Sequence, residues 1–496
     1  MSEKRIDERV LIDLSEIPEL HKQSNRIISV LFDKRTDIFQ MHGSLVRVLI
    51  NSGIRIEKIN KYILRNIVSN CVRIIKNSEC EIEKYPPISI INDILATGIY
   101  PFYELKGICR YPLINKNGEI KYSTGFDKDT GLFIYNNSNL SFEDISNKTY
   151  ILKEEITFAK DVILDLLSDF TFKSPSDLTN YIGFILIIIC RSFFDGLIPM
   201  HLIKASTPGV GKTLLSEIPY LILTGERPTI TSLPDNESEM RKSIFASLMS
   251  GVENVLFDNI KSKIESGVLA AILTSGRYGS RILSKSQFSD YNVRFPISLT
   301  ANNPEVDKEL ARRIVPIELV TAMENPSLRN NFKYQDIRKQ IIDNRYKYLK
   351  ALLTIIKYWF ISGKKEWLDK KIGSFEGFCR LIGGILVTSE FSSFLDNYEE
   401  FINFGDYENN LWKDFIYKWY EKYGEELVLA QKLTDLAIKT NIVDKYGSPT
   451  RQLGKQLSKY SETNILTDFG NLKLMRGKQE RRAQLWYLEN KDKGRG

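Results

Sequence analysis

The segment KASTPGVGKTLLSE, residues 204–217, combines residue types and a spacing that suit phosphate binding. Its Gly211, Lys212 and Thr213 match the end of the pattern G-x-x-x-x-G-K-[ST], while Ser206 replaces the first glycine. Glycines let backbone N–H groups wrap phosphates, the lysine places a positive charge on the phosphate oxygens, and the hydroxyl helps to hold Mg²⁺. We predict a loop that binds ATP and Mg²⁺ rather than a chance glycine-rich turn. Its expected nucleotide-binding residues are Pro208, Gly209, Val210, Gly211, Lys212, Thr213 and Leu214.

A phosphate loop of this kind needs an acidic residue at the end of a neighbouring apolar strand to organise Mg²⁺. The segment ENVLFDNI supplies Asp258 directly after an apolar run, so Asp258 and Thr213 form the predicted metal site. The next position carries Asn259, where ATPases of this kind often have a glutamate. The residue that activates water is therefore unassigned. Glu239 is the first candidate and Glu253 the second, and Glu239 can equally be an ordinary surface glutamate.

The segment FPISLTANNPEVDKELARRIVPIEL, residues 295–319, predicts an apolar strand followed by a short acidic helix. An asparagine at a strand tip beside the phosphate loop can orient the attacking water or sense the γ-phosphate, which makes Asn302 a candidate. The pair Arg312 and Arg313 is poorly placed to fold back onto its own site. We predict that these arginines reach the nucleotide of a neighbouring subunit as arginine fingers, which implies a ring or filament.

The segment SGRYGSRILSKSQFSDYNVRF, residues 275–295, lies between ENVLFDNI and the apolar strand that ends in Asn302. It is basic and contains glycine, a combination that favours a hairpin facing a central channel. We predict that Arg277, Arg281 and Lys285 follow a nucleic-acid backbone. An unpaired base could stack on Tyr278 or Phe288. A structural role for Arg281, such as pairing with an acid of the neighbouring subunit, is equally open.

Composition places the chain among globular proteins. It has 496 residues, 43% hydrophobic and 26% charged, which predicts about two to four domains. The five cysteines are scattered and form no C-x-x-C pair, so we expect neither a disulfide framework nor a zinc site, and a reducing cytoplasm fits. The charged N-terminus lacks the apolar core of a signal peptide. The run YIGFILIIIC is too short to span a bilayer and predicts a buried helix, so we expect a cytoplasmic protein without membrane contact.

The net charge of +7 is concentrated near the C-terminus. The last 26 residues contain eight basic and three acidic side chains, which account for +5 of the total. Within them, Arg476, Arg481 and Arg482 are candidate DNA contacts. A charged tail that only improves solubility is the alternative.

Changes in periodicity along the chain predict four domains. Residues 1–150 read as a mixed α+β domain that contacts DNA or other subunits. Residues 151–325 alternate strands and helices, which predicts an α/β P-loop ATPase core around a parallel sheet. Residues 326–425 read as a helical domain. Residues 426–496 read as short helices followed by a two-stranded wing, the outline of a winged-helix DNA-binding domain with a basic tail.

Three local patterns stand out in the first domain. Residues 57–76, EKINKYILRNIVSNCVRIIK, have helical periodicity. The segments PLINKNGEIKY and TGFDKDTGLFIY each carry turn residues between apolar runs, which predicts two hairpins. In the second, Asp127 and Asp129 could form a metal pair of a primase or nuclease, but such a pair is more often turn chemistry.

The order of the motifs, namely the phosphate loop, DNESEMRK, VLFDN, GSRIL, TANNP and ELARR, resembles the AAA+ helicases encoded by phages, plasmids and genomic islands. That group is close to superfamily 3 and MCM-like helicases. The segments DIFQMHGSLVRV, GFDKDTGLFIY and GSFEGFCRLIGGIL are similar to segments that accompany the same core in phage primase-helicase proteins. The resemblance covers most of the chain, which looks like the self-loading replicative helicases of staphylococcal chromosome cassettes and pathogenicity islands.

The resemblance implies an AAA+ core that forms a ring, usually a hexamer, with a DNA strand in its central pore. The implied roles are phosphate and Mg²⁺ binding by Lys212 and Thr213, completion of the metal site by Asp258, sensing by Asn302, and the finger by Arg312 or Arg313. Because no primase-polymerase domain is recognisable ahead of residues 1–150, we expect unwinding without primer synthesis.

Two functions follow as hypotheses. The first is an ATP-dependent, ring-forming DNA helicase and replication initiator of a mobile genetic element, which acts on single-stranded and forked DNA and finds an origin duplex. The alternative is an origin-binding initiator that uses ATP as an assembly switch and does not translocate. A remodelling ATPase without a nucleic-acid partner is disfavoured by the basic hairpin segment and the basic tail.

Overall fold

The computed structural model describes residues 8–51, 53–75, 83–234, 236–250, 254–260, 263–281, 288–293, 295–302, 304–323, 326–404, 407–443, 448–480 and 483–492. The chain divides into two compact units. Unit 1 comprises residues 1–304 and 312–398, and unit 2 comprises residues 305–311 and 399–496. The predicted domain limits at residues 150 and 325 fall inside unit 1, and the division into four domains stays a prediction.

The first part of unit 1 mixes short strands with helices. The strands are β1 (Val10–Asp13), β2 (Ile38–Met41), β3 (Ser44–Ile50), β4 (Ile54–Lys58), β5 (Val72–Ile75), β6 (Gly107–Cys109), β7 (Leu113–Ile114), β8 (Ile120–Lys121), β9 (Gly125–Asp127) and β10 (Leu132–Ile134). The helices are α1 (Leu20–Lys34), α2 (Lys61–Cys71), α3 (Ile88–Thr97) and α4 (Glu143–Ser146). Helices α1, α2 and α3 share one apolar core with β1 and β5, which pair in parallel, and β2, β3 and β4 form an antiparallel sheet.

The helix predicted over residues 57–76 is only partly correct. Helix α2 begins after Asn60, whose side chain accepts two backbone N–H groups of the first turn, and it ends at Cys71. The chain then continues as β5, whose Val72 pairs with Val10 of β1. A β-branched run suits either state in isolation, and the pairing partner that decides for the strand lies far upstream in the chain.

Both predicted hairpins are present, formed by β7 with β8 and by β9 with β10. In the second, the carboxylate of Asp127 accepts hydrogen bonds from the N–H and the hydroxyl of Thr130, at 2.9 and 2.6 Å. Asp127 therefore stabilises its own turn. Among the described residues, no group of three or more His, Cys, Asp or Glu side chains is placed to hold a metal ion. This arrangement favours turn chemistry over a metal pair at Asp127 and Asp129.

The middle of unit 1 is built on a parallel sheet. Its strands and the hairpin beside it are β11 (Met200–Ala205), β12 (Ile230–Thr231), β13 (Val255–Ile260), β14 (Arg277–Arg281), β15 (Phe288–Asn292), β16 (Ile297–Asn302) and β17 (Ile314–Leu319). The helices of this stretch are α5 (Lys153–Leu167), α6 (Pro175–Cys190), α7 (Lys212–Thr224), α8 (Glu237–Ser250), α9 (Gly267–Ser275) and α10 (Lys308–Ala311), the last of which belongs to unit 2. The sheet order is β12-β13-β16-β11-β17, with every pair parallel.

Parallel sheets of this kind are covered on both faces, so their strands read as apolar runs. In β11, β13 and β16 most side chains are buried. Helix α6 starts at the Ser174 cap with Pro175 in its first turn, and the run Tyr181–Cys190 is buried throughout, as predicted. No helix in the described part of the chain has the length and apolarity that a bilayer crossing requires.

Buried cations connect the last part of unit 1 to helix α7, which follows the predicted phosphate loop, and to the turn between β7 and β8. This part contains α11 (Ile337–Asp343), α12 (Arg345–Ile361) and α13 (Glu376–Thr388), and α14 (Tyr398–Phe404) begins at its end. The Arg345 guanidinium donates hydrogen bonds to the carbonyls of Ile222, at 3.0 Å, and Leu223, in the last turn of α7. On α12, Lys357 donates to the Gly118 carbonyl at 2.8 Å. Cations suit a helix C-terminus because its last carbonyls carry partial negative charge.

Unit 2 contains α15 (Tyr407–Tyr423), β18 (Val428–Leu429), α16 (Ala430–Lys439), α17 (Pro449–Lys459), β19 (Asn464–Thr467), β20 (Gly470–Glu480) and β21 (Ala483–Asn490). Its strands form an antiparallel sheet in the order β18-β21-β20-β19. Trp412, Trp419 and Trp486 are almost completely buried in its core. The two short helices and the two-stranded pair predicted for this region are present.

The carboxylate of Glu217 on α7 is fully buried and pairs with Arg227 and Arg338, each at 2.6 Å. Burial alone would raise the pKa of Glu217, but the hydrogen bonds from the two arginines outweigh it and the pKa is lowered. We expect Glu217→Gln to reduce the free energy of unfolding by about 1–3 kcal/mol at neutral pH. Chemical denaturation of wild type and variant measures this difference.

The pH dependence has a defined sign. A lowered folded-state pKa contributes stability above the unfolded-state pKa, and this contribution is lost as pH falls through the folded-state value. The gap between wild type and Glu217→Gln should therefore shrink below about pH 4. The control Glu226→Gln, at an exposed position, should change stability by less than about 0.5 kcal/mol. An equal loss in both variants would contradict the special role of Glu217.

Candidate functional site

The predicted phosphate loop connects the end of β11 to the start of α7. Gly209 and Gly211 have φ angles of 83° and 94°, a left-handed region that favours glycine. A side chain at Gly211 would also meet the ring of Phe170 at 3.2 Å. Because Lys212 is the first residue of α7, the backbone N–H groups of the loop and of the first helical turn lie where an anion is stabilised.

Lys212 and Asn302 are in direct contact. The Lys212 ammonium donates a hydrogen bond to Oδ1 of Asn302, the last residue of β16, at 2.5 Å. Only 8% of Lys212 is exposed. Burial lowers the pKa of Lys212, and the charge of Asp258 acts in the opposite direction. Two residues that sequence analysis assigned to one nucleotide site, ninety positions apart, are therefore brought together.

The second predicted pair, Thr213 and Asp258, is also in contact. The Thr213 hydroxyl donates to the two carboxylate oxygens of Asp258, at 3.1 and 3.2 Å. On the other side, the hydroxyl of Thr300 donates to Asp258 Oδ1. Thr300 in turn accepts the backbone N–H of Asn259, at 2.8 Å, where the chain has a left-handed φ of 56° that asparagine tolerates.

Sequence analysis missed Thr300, although a signal was present. Side chains alternate between the two faces of a strand, so Thr300 and Asn302 share a face of β16. Once Asn302 is assigned to the site, a polar residue two positions earlier in an apolar strand is the next candidate. Its contact fixes the carboxylate of Asp258.

The residue types at this edge fit Mg²⁺. Magnesium prefers oxygen ligands and is commonly held by one or two protein groups together with substrate phosphates and water. The Thr213 hydroxyl and the Asp258 carboxylate supply such oxygens beside the loop that suits phosphate. The donor set therefore fits a nucleotide-bound Mg²⁺ better than a metal held by protein alone.

The structure does not connect Glu239 to this group. Glu239 lies on α8, about half exposed, and its carboxylate pairs with Lys242 at 2.6 Å. The neighbouring Glu237 instead accepts the N–H groups that begin α9. Asn259 occupies the position after Asp258, and Glu253 lies outside the described residues. The assignment of Glu239 or Glu253 as the water-activating base therefore stays a prediction.

Arg312 and Arg313, the two candidate arginine fingers, have different surroundings. Arg313 donates from Nε to the hydroxyl of Thr274 on α9, at 2.7 Å. Arg312 is exposed, and its backbone carbonyl accepts the hydroxyl of Tyr398 at 2.8 Å. Burial is the main cause that raises the pKa of Tyr398 to about 12, so this hydroxyl keeps its proton and donates at neutral pH.

The basic segment after α9 forms the expected hairpin, in which β14 and β15 pair antiparallel from Arg277 with Asn292 to Arg281 with Phe288. Arg277 is exposed. Only the backbone is described at Arg281, Tyr278 and Phe288, and Lys285 lies outside the described residues.

In unit 2, the side chain of Arg476 on β20 donates to the Ser458 carbonyl of α17 and lies over the ring of Trp486. The other two predicted DNA contacts of this region, Arg481 and Arg482, lie outside the described residues. Sequence analysis missed the exposed side of α17, where Arg451 and Lys455 stand one turn apart.

Comparison with known proteins gives weak similarities. No protein-family model and no curated protein matches this chain. Among solved structures, the C-terminal region of NrS-1 is 13% identical over 93% of this chain and 98% of its own, with a TM-score of 0.44. The SCCmec type IV Cch active helicase is 11% identical over 91% of each chain, with a TM-score of 0.36. JCV helicase is 13% identical over 52% of this chain and 66% of its own, with a TM-score of 0.24. At these TM-scores the likenesses carry no conclusion about this chain, whose function rests on its own residues.

The contacts of Asp258 predict a metal-dependent change in ATP affinity. Asp258→Asn should weaken binding of ATP in the presence of Mg²⁺ by about ten- to a hundredfold, because the site loses its charged ligand. Binding in EDTA should change little. Titration of a fluorescent ATP analogue measures both, with Asp161→Asn on the exposed side of α5 as control. Equal weakening with and without Mg²⁺ would contradict a metal role.

Proposed function

We propose that this chain is an ATP-dependent DNA helicase with an AAA+ core that works as a ring of identical subunits. The observation that carries the proposal is the convergence of Lys212, Thr213, Asp258 and Asn302 at one edge of a parallel sheet. In open α/β sheets this edge, outside the carboxyl ends of the strands, is where ligands bind. Nucleotide and Mg²⁺ chemistry accounts for each of these four residue types.

Each residue then has a physical role. Bound ATP with Mg²⁺ would supply the phosphate bond that is broken. Lys212 offsets negative charge on the phosphates, and the first turn of α7 supplies N–H donors. Thr213 and Asp258 hold the metal, while Thr300 keeps the carboxylate in place. Asn302, in contact with Lys212, is placed to orient the attacking water or to respond to the terminal phosphate.

Arg312 is the better candidate for a finger that acts on a neighbouring subunit. Arg313 uses its Nε to contact Thr274 of its own chain. Arg312 is exposed on a backbone that Tyr398 anchors, an arrangement that presents a guanidinium outward. An arginine that completes a site in trans needs an assembly, so a ring, with a hexamer as the expected size, belongs to the proposal. A role in replicating a mobile genetic element is also part of the proposal and is based on the sequence resemblance alone.

Unit 2 supports a duplex-binding role as a winged helix. Helix α15, β18, α16 and α17 come first, β19 and the β20–β21 pair follow, and β18 pairs with β21. Short helices before a two-stranded pair match the outline expected of that domain. Helix α17 buries Leu453 and Leu457 and exposes Arg451 and Lys455, so it presents a basic side to a partner. A basic helix of this kind suits the major groove of an origin duplex.

Unwinding of a forked duplex tests the proposal. Wild type should unwind with ATP, whereas Lys212→Ala and Arg312→Ala should each be inactive. Loss of a finger should lower ATP hydrolysis by about a thousandfold or more. The matched control Arg313→Ala should retain far more hydrolysis than Arg312→Ala. Mixing the two inactive variants should restore part of the activity, since one supplies an intact nucleotide site and the other an intact finger.

Two outcomes would contradict this proposal. Hydrolysis without unwinding by wild type would favour the initiator that uses ATP as an assembly switch. No recovery in the mixture, with both variants correctly assembled, would remove the trans role of Arg312.

Duplex binding tests α17. Arg451→Ala/Lys455→Ala should weaken binding to duplex DNA and lower the slope of log affinity against log salt by about 1.8, since each lost phosphate contact removes about 0.9. Fluorescence anisotropy at several salt concentrations measures the slope. Lys432→Ala, at an exposed position of α16, is the control and should leave it unchanged. An unchanged slope in the double variant would remove α17 from the duplex interface.

A further inference from the structure

Two tyrosines near α2 are far more exposed than is usual for large aromatic side chains. Tyr62, in the first turn of α2, is 72% exposed, and Tyr85, just before α3, is 77% exposed. Both belong to the part of the chain for which neither the nucleotide site nor the duplex-binding helix supplies a role. Interfaces are enriched in aromatic side chains, so the pair marks a candidate interaction surface.

Each of these rings lies beside a cation. The Lys61 ammonium lies over one face of the Tyr62 ring, 5.0 Å from its centre, and the Arg65 guanidinium lies over one face of the Tyr85 ring, 5.1 Å from its centre. Tyr62 and Arg65 stand three positions apart on α2 and so are neighbours on its surface. The two tyrosines and two cations therefore form one continuous surface, which we name the α2 aromatic surface.

The charge that α2 contributes to this surface is positive. The sequence of α2, KYILRNIVSNC, contains one lysine, one arginine and no acidic residue. Glu83, close to Tyr85 in the chain, is paired with Arg9 at 2.6 Å. Lys61 and Arg65 are the charged side chains that α2 itself contributes, so a polyanion would meet a favourable potential at this helix.

The surface is also held in place. Nε of Arg65 donates to the Pro86 carbonyl at 3.0 Å, which fixes the loop that carries Tyr85. The side-chain oxygen of Asn60 accepts the backbone N–H groups of Tyr62 and Ile63, which fixes the first turn of α2, where Tyr62 lies. On the other side of α2, Leu64, Ile67 and Val68 are buried in the core. A backbone that is fixed before binding loses little conformational freedom when the rings it carries stack on a ligand.

We infer that the α2 aromatic surface binds single-stranded DNA, with bases stacked on Tyr62 and Tyr85 and the phosphate backbone near Lys61 and Arg65. Proteins that hold single strands combine a basic surface with exposed aromatic rings, because every unpaired base offers a face for stacking. A duplex hides those faces, so the rings select single strands. This inference rests on the proposed function and assigns a strand-holding site apart from the hairpin and from α17.

Binding of a fluorescein-labelled oligothymidine by the full chain, without nucleotide, tests the inference. Tyr62→Ala/Tyr85→Ala should raise the Kd by about tenfold or more, as expected when two stacking contacts are lost. Tyr62→Phe/Tyr85→Phe keeps the rings and should bind like wild type. Lys61→Gln should lower the salt slope by about 0.7. The control Tyr150→Ala removes a tyrosine that is 70% exposed elsewhere in unit 1 and should leave the Kd unchanged.

The outcomes separate this inference from the proposed function. Equal affinity of wild type and the double alanine variant would overturn the inference alone. Failure of wild type to bind any single strand would overturn both. A loss in the double alanine variant that is as large for a blunt duplex as for oligothymidine would overturn the stacking mode. A change of oligomeric state in that variant, seen by light scattering, would assign the surface to a second copy of the chain instead.

Discussion

The contact between Lys212 and Asn302 depends on one property of parallel sheets: all strands end at the same edge. Strands β11 and β16 pair in a register that places Ala205 opposite Asn302, and the phosphate loop leaves from that end of β11. Strand β13 delivers Asp258 to the same edge. An antiparallel neighbour would have put its polar tip at the far side of the sheet. The direction of the strands is therefore the condition that brings Lys212, Asn302 and Asp258 to one edge.

Helix α7 carries Lys212 and Thr213, and several distant segments fix its position. Its N-terminus is set by the left-handed glycines of the loop. Its last carbonyls accept hydrogen bonds from Arg345, and its buried Glu217 is paired with Arg338. These arginines come from the part of the chain after the sheet. Helix α7 therefore links α11 and α12 to the segment that carries Lys212 and Thr213.

The positive charge of the chain is distributed over separate surfaces with different chemistry. Helix α17 exposes Arg451 and Lys455 without an exposed aromatic ring between them, which suits a phosphate backbone or a groove. The α2 aromatic surface adds stacking rings to its cations, which suits unpaired bases. The proposed helicase would meet both forms of DNA, and the two kinds of surface fit that proposal.

The sequence by itself predicted Lys212, Thr213, Asp258 and Asn302 as members of one nucleotide site, because glycine, lysine, hydroxyl and carboxylate groups at this spacing leave few other chemical uses. The structure brings Lys212 into contact with Asn302 and Thr213 into contact with Asp258. The sequence also determined both hairpins near residue 120 and the buried helix α6, where local turn residues and apolar runs are sufficient. Only the tertiary structure decided that residues 72–75 form a strand, since their partner β1 lies far upstream. It also decided the role of Thr300 and the different surroundings of Arg312 and Arg313. These depend on contacts between distant segments, which periodicity cannot encode because it records only the neighbours of a residue along the chain.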